Sequence, residues 1–419
     1  MKAIKNISNL VQITDSNLQY KTNQAMNNVC ELEDVAMIFD EKIVWIGKNS
    51  ELEEYYKNFS NEPIEFIDAK GKAVIPGFVD SHTHIVFGGN RAYEFARRMQ
   101  GATYLEIAEE GGGIQSTVRA TRAATLEELV ASGSKLINNA IIHGTVALEI
   151  KSGYGLDTET EIKMLEAIKI LRSKFPIEIK TTFLGAHDFP IEYKGKRDEY
   201  VDLICNEMLP KVAENNLADY CDAFVDKGYY TIEQGRKIFN RSKELGLQIR
   251  MHADELAWVG AAELAAEVGA KSADHLLFVS DQGIEQMRNA NVVATLLPGT
   301  SFFIRLPYAN ARKIIDNGAI TALATDCNPG SSYNENMLMV LWLATLNLRM
   351  TAEEALTAAT LNAAYSMDLS DKLGSLEIGK EASFLILDTD SYKDMFYHYG
   401  YNHIAKTFVK GKEFSGIDE

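Results

Sequence analysis

His82 and His84 flank a single threonine in the run Pro76-Gly77-Phe78-Val79-Asp80-Ser81-His82-Thr83-His84. An extended chain turns residues i and i+2 to the same side, so both imidazoles can reach one ion. Three more side chains with metal-site chemistry follow predicted strands much further along: His252, His275 and Asp326. Imidazole nitrogens and a carboxylate oxygen make a donor set that suits zinc or iron. An isolated His-x-His pair says little, because histidines serve many roles. The convergence carries the argument: of eight histidines, His82, His84, His187, His252 and His275 all follow predicted strands. His143, between a helix and the next strand, and His398 and His403, in the tail, are expected to stay away from the metal.

Residues so far apart in the chain need a scaffold to gather them. Strand-like runs recur at 77–80, 145–150, 177–180, 221–225, 248–251, 272–275, 292–297 and 320–324. Helical periodicity fills the gaps; Leu126, Leu129, Val130, Ile137 and Ile141 share one helix face. Thr125 with Glu128, Thr158 with Glu161, Thr231 with Gln234 and Thr351 with Glu354 fit capping boxes. Gly246 and Gly269 mark helix ends. This alternation predicts an α/β fold, a TIM-like (β/α)8 barrel over residues 74–370, with an open doubly wound sheet as the alternative. In such barrels the catalytic groups sit where strands end. The chain ends differ in texture. Val35–Phe39 and Ile43–Gly47 around Asp40-Glu41 read as a hairpin, and Ser383–Leu387 and Thr407–Val409 are also strand-like. Residues 1–73 and 371–419 are expected to join as one small β-sandwich domain.

Composition narrows the function classes. Of 419 residues, 46% are apolar and 24% charged, the mix of a globular chain with a substantial core. A net charge of −17 without any basic cluster argues against a nucleic-acid partner. Cys30, Cys205, Cys221 and Cys327 form no C-x-x-C pair, which points to a reducing compartment. The N-terminus lacks an apolar signal run, and no window approaches the ~20 apolar residues of a membrane span. A cytoplasmic protein without a membrane partner is expected. Met337, Leu338, Met339, Leu341 and Trp342 lie on an apolar helix read as core rather than subunit interface, and a homodimer stays open. Gly111-Gly112-Gly113 lacks the Lys-Ser or Lys-Thr of a phosphate loop and is expected to be a mobile loop near the site. Lys227, just past the fourth barrel strand, is expected to face solvent.

The run from Pro76 to His84 resembles the opening signature of the amidohydrolase superfamily. With His252, His275 and Asp326 the resemblance extends in order over nearly the whole chain. Phe87-Gly88-Gly89-Asn90-Arg91, Gly111-Gly112-Gly113-Ile114, Glu149-Ile150-Lys151-Ser152-Gly153-Tyr154-Gly155, Phe183-Leu184-Gly185-Ala186-His187, His252-Ala253-Asp254-Glu255 and Thr325-Asp326-Cys327-Asn328-Pro329-Gly330-Ser331 narrow it further. They are similar to the branch that hydrolyses 4-imidazolone-5-propanoate to N-formimidoyl-L-glutamate in histidine degradation.

The resemblance implies one ion per subunit, Zn2+ or Fe3+, on His82, His84, His252 and Asp326, with a metal-activated water attacking the ring carbonyl. It implies proton transfer by Glu255, which also contacts substrate, oxyanion stabilisation by His275, and Asp326 as ligand and proton acceptor in turn. The substrate's propionate needs a cation, and Arg91 offers a guanidinium fork. Tyr154, His187, Asn328, Gly330 and Ser331 would supply further substrate contacts. A deaminase of aminated heterocycles would share the ligands without needing Arg91, and a non-catalytic barrel scaffold would have no use for a complete ligand set.

Overall fold

The computed structural model describes residues 1–59, 64–102, 106 and 112–416. Eight parallel strands follow one another in chain order around a barrel: Phe78–Thr83, Thr145–Lys151, Glu178–Ala186, Tyr220–Val225, Gln248–Ala253, Ser272–His275, Val293–Leu296 and Thr321–Leu323. Each pairs only with its sequence neighbours, so the open doubly wound alternative is excluded. Sequential parallel pairing requires a crossover after every strand, and helices such as Leu126–Ile142 and Thr158–Lys174 supply it. The expected apolar face of the first of these is realised, with Leu129, Ile137 and Ile141 buried.

The seam between the first and last strands is closed near its top. Thr83 bridges Cys327 in parallel, Asp326 N–H donates to the His82 carbonyl at 3.0 Å, and His84 N–H donates to the Cys327 carbonyl at 2.9 Å. Buried Asp80 ties the same seam, accepting from the Thr325 backbone N–H at 3.0 Å and its hydroxyl at 2.6 Å.

Strands from both chain ends meet in a second sheet, as expected. Lys2–Val11, Glu31–Phe39, Ile43–Lys48, Glu65–Asp68 and Val74–Pro76 join Phe384–Leu387, Ile404–Val409 and Lys412–Glu413. These eight strands form one continuous hydrogen-bonded order around a core of their own. The link between the ends is the pairing of Val74–Pro76 with Phe384–Leu387. Phe39, Phe384 and Phe408 pack beneath it, with Phe384 stacked on Phe408 at 4.6 Å and edge-on to Phe39 at 5.1 Å.

Capping follows the sequence at three of four helices: Thr125, Thr231 and Thr351 are N-caps with complete capping boxes. At the fourth, the expectation is corrected. Asp157 caps, accepting the Thr160 N–H at 2.7 Å, and Thr158 lies inside the helix. Its intended partner Glu161 turns inward to accept the N–H groups of Gly153, Gly155 and Leu156 at 2.8–3.1 Å. A buried carboxylate needs donors, and that loop offers three. Gly246 and Gly269 each follow a helix C-cap with positive φ, as expected. In the apolar helix Met337–Asn347, Met337, Leu338 and Leu341 are core, whereas Met339 and Trp342 are partly exposed. Lys227 is exposed, and Gly111 lies outside the described residues. Among the described residues no helix is long and apolar enough to cross a membrane.

Phe384→Ala should leave a cavity at the point where the two chain ends are held together. Loss of about 3–5 kcal/mol is expected for a fully buried aromatic, read as a lower urea midpoint at unchanged far-UV circular dichroism.

Candidate active site

Three imidazoles converge at the C-terminal mouth of the barrel. His82 Nε2 lies 3.3 Å from His84 Nε2, which lies 3.4 Å from His252 Nε2. All three rings are buried, and one ligand atom from each falls within 4.8 Å of the others. Asp326 Oδ1 sits beside the group, 3.6 Å from His82 Nε2 and 3.5 Å from His84 Nε2, while its Oδ2 accepts from the Thr300 hydroxyl at 2.5 Å. Burial pulls the His82 and His84 rings well below their ordinary pKa, so they are neutral bases.

What turns these rings is a layer of carboxylates beneath them. His82 Nδ1–H donates to Asp274 at 2.7 Å, and His252 Nδ1–H to Asp222 at 3.1 Å. A proton held at Nδ1 leaves the Nε2 lone pair aimed at the centre, which is how metal-ligating histidines are oriented. Lone pairs facing one another this closely repel unless a proton or a metal cation lies between them. The donor set therefore fits a divalent metal ion.

The carboxylates are themselves anchored by groups the sequence reading passed over. Lys151 Nζ, fully buried, lies 2.8 Å from Glu149 and 2.9 Å from Asp222, with Asp274 at 3.9 Å. Arg250 donates to the Ser81 and Ser366 carbonyls, both at 2.8 Å, and approaches Glu149 and Asp274 at 3.9 and 4.0 Å. Burial alone would raise the Asp222 carboxyl, but His252 and Lys151 outweigh it and hold it ionised. A signal for this layer existed in the sequence. Glu149 and Lys151, and Arg250 and His252, are i, i+2 pairs of polar residues within otherwise apolar strands, so they share the barrel interior.

Glu255 and His275 flank the triad. His275 Nε2 is 3.6 Å from Glu255, and both of its ring nitrogens are buried with no hydrogen-bond partner among the described residues. Burial pulls His275 well below its usual value, whereas burial, helped by the Asp326 charge, pushes the Glu255 carboxyl up to about 8. Burial raises Asp326 to about 6 against the Thr300 hydrogen bond. Asp226, at the end of the fourth strand, holds the Glu255 loop by accepting N–H groups of Glu255, Leu256 and Ala257 at 2.7–3.2 Å. The backbone at the strand ends is unusual. Asp254, His275, Leu276 and Asp326 all have positive φ, a costly conformation that gathers at functional sites.

The remaining expected residues line the mouth. His187 stacks on His84 at 5.0 Å and lies 5.2 Å from Tyr154, and its Nδ1–H donates to the Gly153 carbonyl. Arg91 lines a cavity of about 420 Å3 with Asn90, Arg98, Phe303, Pro329 and Tyr333. Asn328 commits its polar atoms to the turn: its Oδ1 accepts from Gly330 and Ser331 N–H, both at 2.8 Å, and its Nδ2 donates to the Asp326 carbonyl at 2.7 Å. His143 is remote in role as expected, bonded through Nδ1 to the Asn139 carbonyl at a helix end, and His403 pairs with Asp388.

The profile described as the amidohydrolase family matches residues 73–414. An imidazolonepropionase of Clostridium tetani is 45% identical over 407 residues, covering 97% of this chain and 96% of its own. One from Geobacillus kaustophilus is 47% identical over 369 residues, 88% of this chain and 87% of its own. Among solved structures, the Escherichia coli guanine deaminase superposes with a TM-score of 0.73 at 18% identity, covering 100% and 99% of the two chains. An atrazine chlorohydrolase of Arthrobacter aurescens, solved with zinc, gives 0.72 at 16%, covering 99% and 95%. At such identities the last two speak for the fold alone.

If the converging nitrogens hold a metal, protein purified with a divalent transition metal should retain about one ion per chain after dialysis, and His84→Ala less than about a tenth of that. Elemental analysis reads both, and equal retention would count against the site.

Proposed function

The chain belongs to the amidohydrolase family, and from that membership and its near-full-length similarity to imidazolonepropionases we propose that it hydrolyses 4-imidazolone-5-propanoate to N-formimidoyl-L-glutamate. The observation that carries the hydrolytic part is the inward convergence of three Nε2 atoms beside Asp326, with His275, unpartnered among the described residues, next to them. We assign the metal to His82, His84, His252 and Asp326. An ion bound there would supply Lewis acidity that makes a nucleophile of water near neutral pH. Three nitrogens and an oxygen accept Zn2+ or Fe3+ alike, and elemental analysis decides between them.

The protein's own groups divide the proton work. Asp326, beside the converging nitrogens, takes a proton from the attacking water. At about 8, Glu255 still carries its proton and gives it to the departing ring nitrogen as the carbonyl carbon–nitrogen bond breaks. Two carboxyls in different surroundings can serve as base and acid. His275 is neutral, and its N–H, without a hydrogen-bond partner among the described residues, can donate to the ring oxygen as negative charge develops there. Water thus adds across one C–N bond.

The propionate is assigned to Arg91, whose guanidinium lines the cavity at the mouth. Glu255, Tyr154 and His187 would contact the ring next to His84 and His275. Asn328, Gly330 and Ser331 would shape the floor beneath Arg91 through the turn that Asn328 builds. The four free cysteines, three of them buried, support a reducing, cytoplasmic setting. Exposed Tyr397, Tyr399 and Leu346 offer apolar surface for a homodimer.

Metal-loaded protein given freshly prepared 4-imidazolone-5-propanoate should abolish the ring absorbance; no loss would sink the substrate assignment. Arg91→Ala should cut kcat/KM by at least about tenfold, chiefly through KM, and unchanged turnover would favour a substrate without a carboxylate. In the wild type, kcat/KM should fall as pH climbs above about 8, where Glu255 loses the proton it must give. Glu255→Gln should lower turnover by about 10²–10⁴-fold and leave a residual activity without the alkaline limb.

A further inference from the structure

We infer that Glu94 is the positioning residue that sets Arg91 for the substrate carboxylate, an inference that rests on the ring-hydrolysis reading and deepens it. Glu94 lies in the first turn of the helix Ala92–Met99, whose N-cap is Arg91. Its Oε2 accepts from Arg91 Nε at 2.8 Å and from Nη2 at 2.7 Å. Its Oε1 accepts the backbone N–H of Gly113 at 3.1 Å. The residue is only 7% exposed, so both contacts are made largely out of water, where they are strong.

The opposite side of the guanidinium is closed by backbone. A Cβ built on Gly330 would lie 2.1 Å from Arg91 Nη1, so the head group rests where any side chain at 330 would stand. Arg91 is therefore held between the Glu94 carboxylate and the bare face of Gly330. Its Nε and Nη2 are committed to Glu94, so the head group is held in one orientation for a ligand carboxylate. An arginine left on its flexible stem would lose rotamer entropy on every binding event, whereas a held one has lost it already.

The glycine run acquires a reason in the same contact. Gly113 adopts φ +75° and ψ −161°, a conformation side chains rarely reach, at the N-cap of the helix Ile114–Ala123. That conformation turns its N–H onto Glu94. One carboxylate thus joins the anion-reading arginine to Gly113 and the helix that it caps.

Holding and charge act with opposite sign. A carboxylate beside Arg91 weakens its pull on a second anion, so removing that charge should tighten binding if charge alone mattered. If holding dominates, removing it should loosen binding. Steady-state kinetics of the metal-loaded wild type, Glu94→Gln, Arg91→Ala and the double variant decide this. The substrates are 4-imidazolone-5-propanoate and the same ring bearing an uncharged propionamide.

The inference expects Glu94→Gln to raise KM for the acid about tenfold with kcat within about twofold, and to leave the amide unaffected. It expects the double variant to match Arg91→Ala, because Glu94 acts through that residue. An unchanged or lowered KM overturns it, and so does a double variant that loses the full extra factor. Should Glu94→Gln fail to fold by circular dichroism, the comparison of the double variant with Arg91→Ala still decides whether Glu94 acts through the arginine. A wild type that turns over acid and amide equally would instead overturn the carboxylate reading itself.

Discussion

Everything at the mouth of the barrel depends on the closure of its seam. Asp80, in the first strand, is buried, and burial pushes its carboxyl up to about 7. It nevertheless accepts both the backbone N–H and the hydroxyl of Thr325, after the last strand. Two backbone hydrogen bonds, from Asp326 and His84, complete the join a few residues higher. The consequence is chemical as well as architectural. Closing the ring brings Asp326 against His82 and His84, residues more than half the chain away in sequence, within 3.6 Å. An open sheet with the same strands would have left them on opposite edges.

Beneath that join lies an arrangement that a stable core alone does not require. Glu149, Lys151, Asp222, Arg250 and Asp274 are all fully buried. Charges taken out of water are costly, and apolar replacements of matching shape are often at least as stable. Their arrangement accounts for the cost. Lys151 spans Glu149 and Asp222 and lies near Asp274, and Asp222 and Asp274 each accept the Nδ1–H of one histidine. Ring orientation is thus set from below before any ion arrives. The positive φ angles at Asp254, His275, Leu276 and Asp326 serve the same end, since they turn side chains from strand direction toward the centre.

The mouth follows a similar logic at lower cost. Asp226 presents Glu255 by gripping three successive N–H groups, and Glu161 does the same for the loop that carries Tyr154. In each case a carboxylate with no chemical role of its own fixes a loop through backbone donors. Loops carry the reacting groups, and such contacts give them the precision of the strands below.

Much of this was legible in the residues. Eight strand-like runs fell on the eight barrel strands, because apolar runs between helical periods have one stable partner arrangement, and the His-x-His pair was readable because alternation is local. Three capping boxes were correct for the same reason: cap and partner are three residues apart. Thr158 failed because Asp157 could cap as well, and only the loop Gly153–Leu156 gave Glu161 a better use. Lys151 and Asp274 were given no role because a charged residue in a strand has no meaning until the facing strands are known. Identity, alternation and capping are properties of neighbours in the chain, and sequence determines them. Which buried carboxylate meets which imidazole, and how far burial moves each proton, was decided by barrel closure alone, since distance and dielectric exist only once the strands have met.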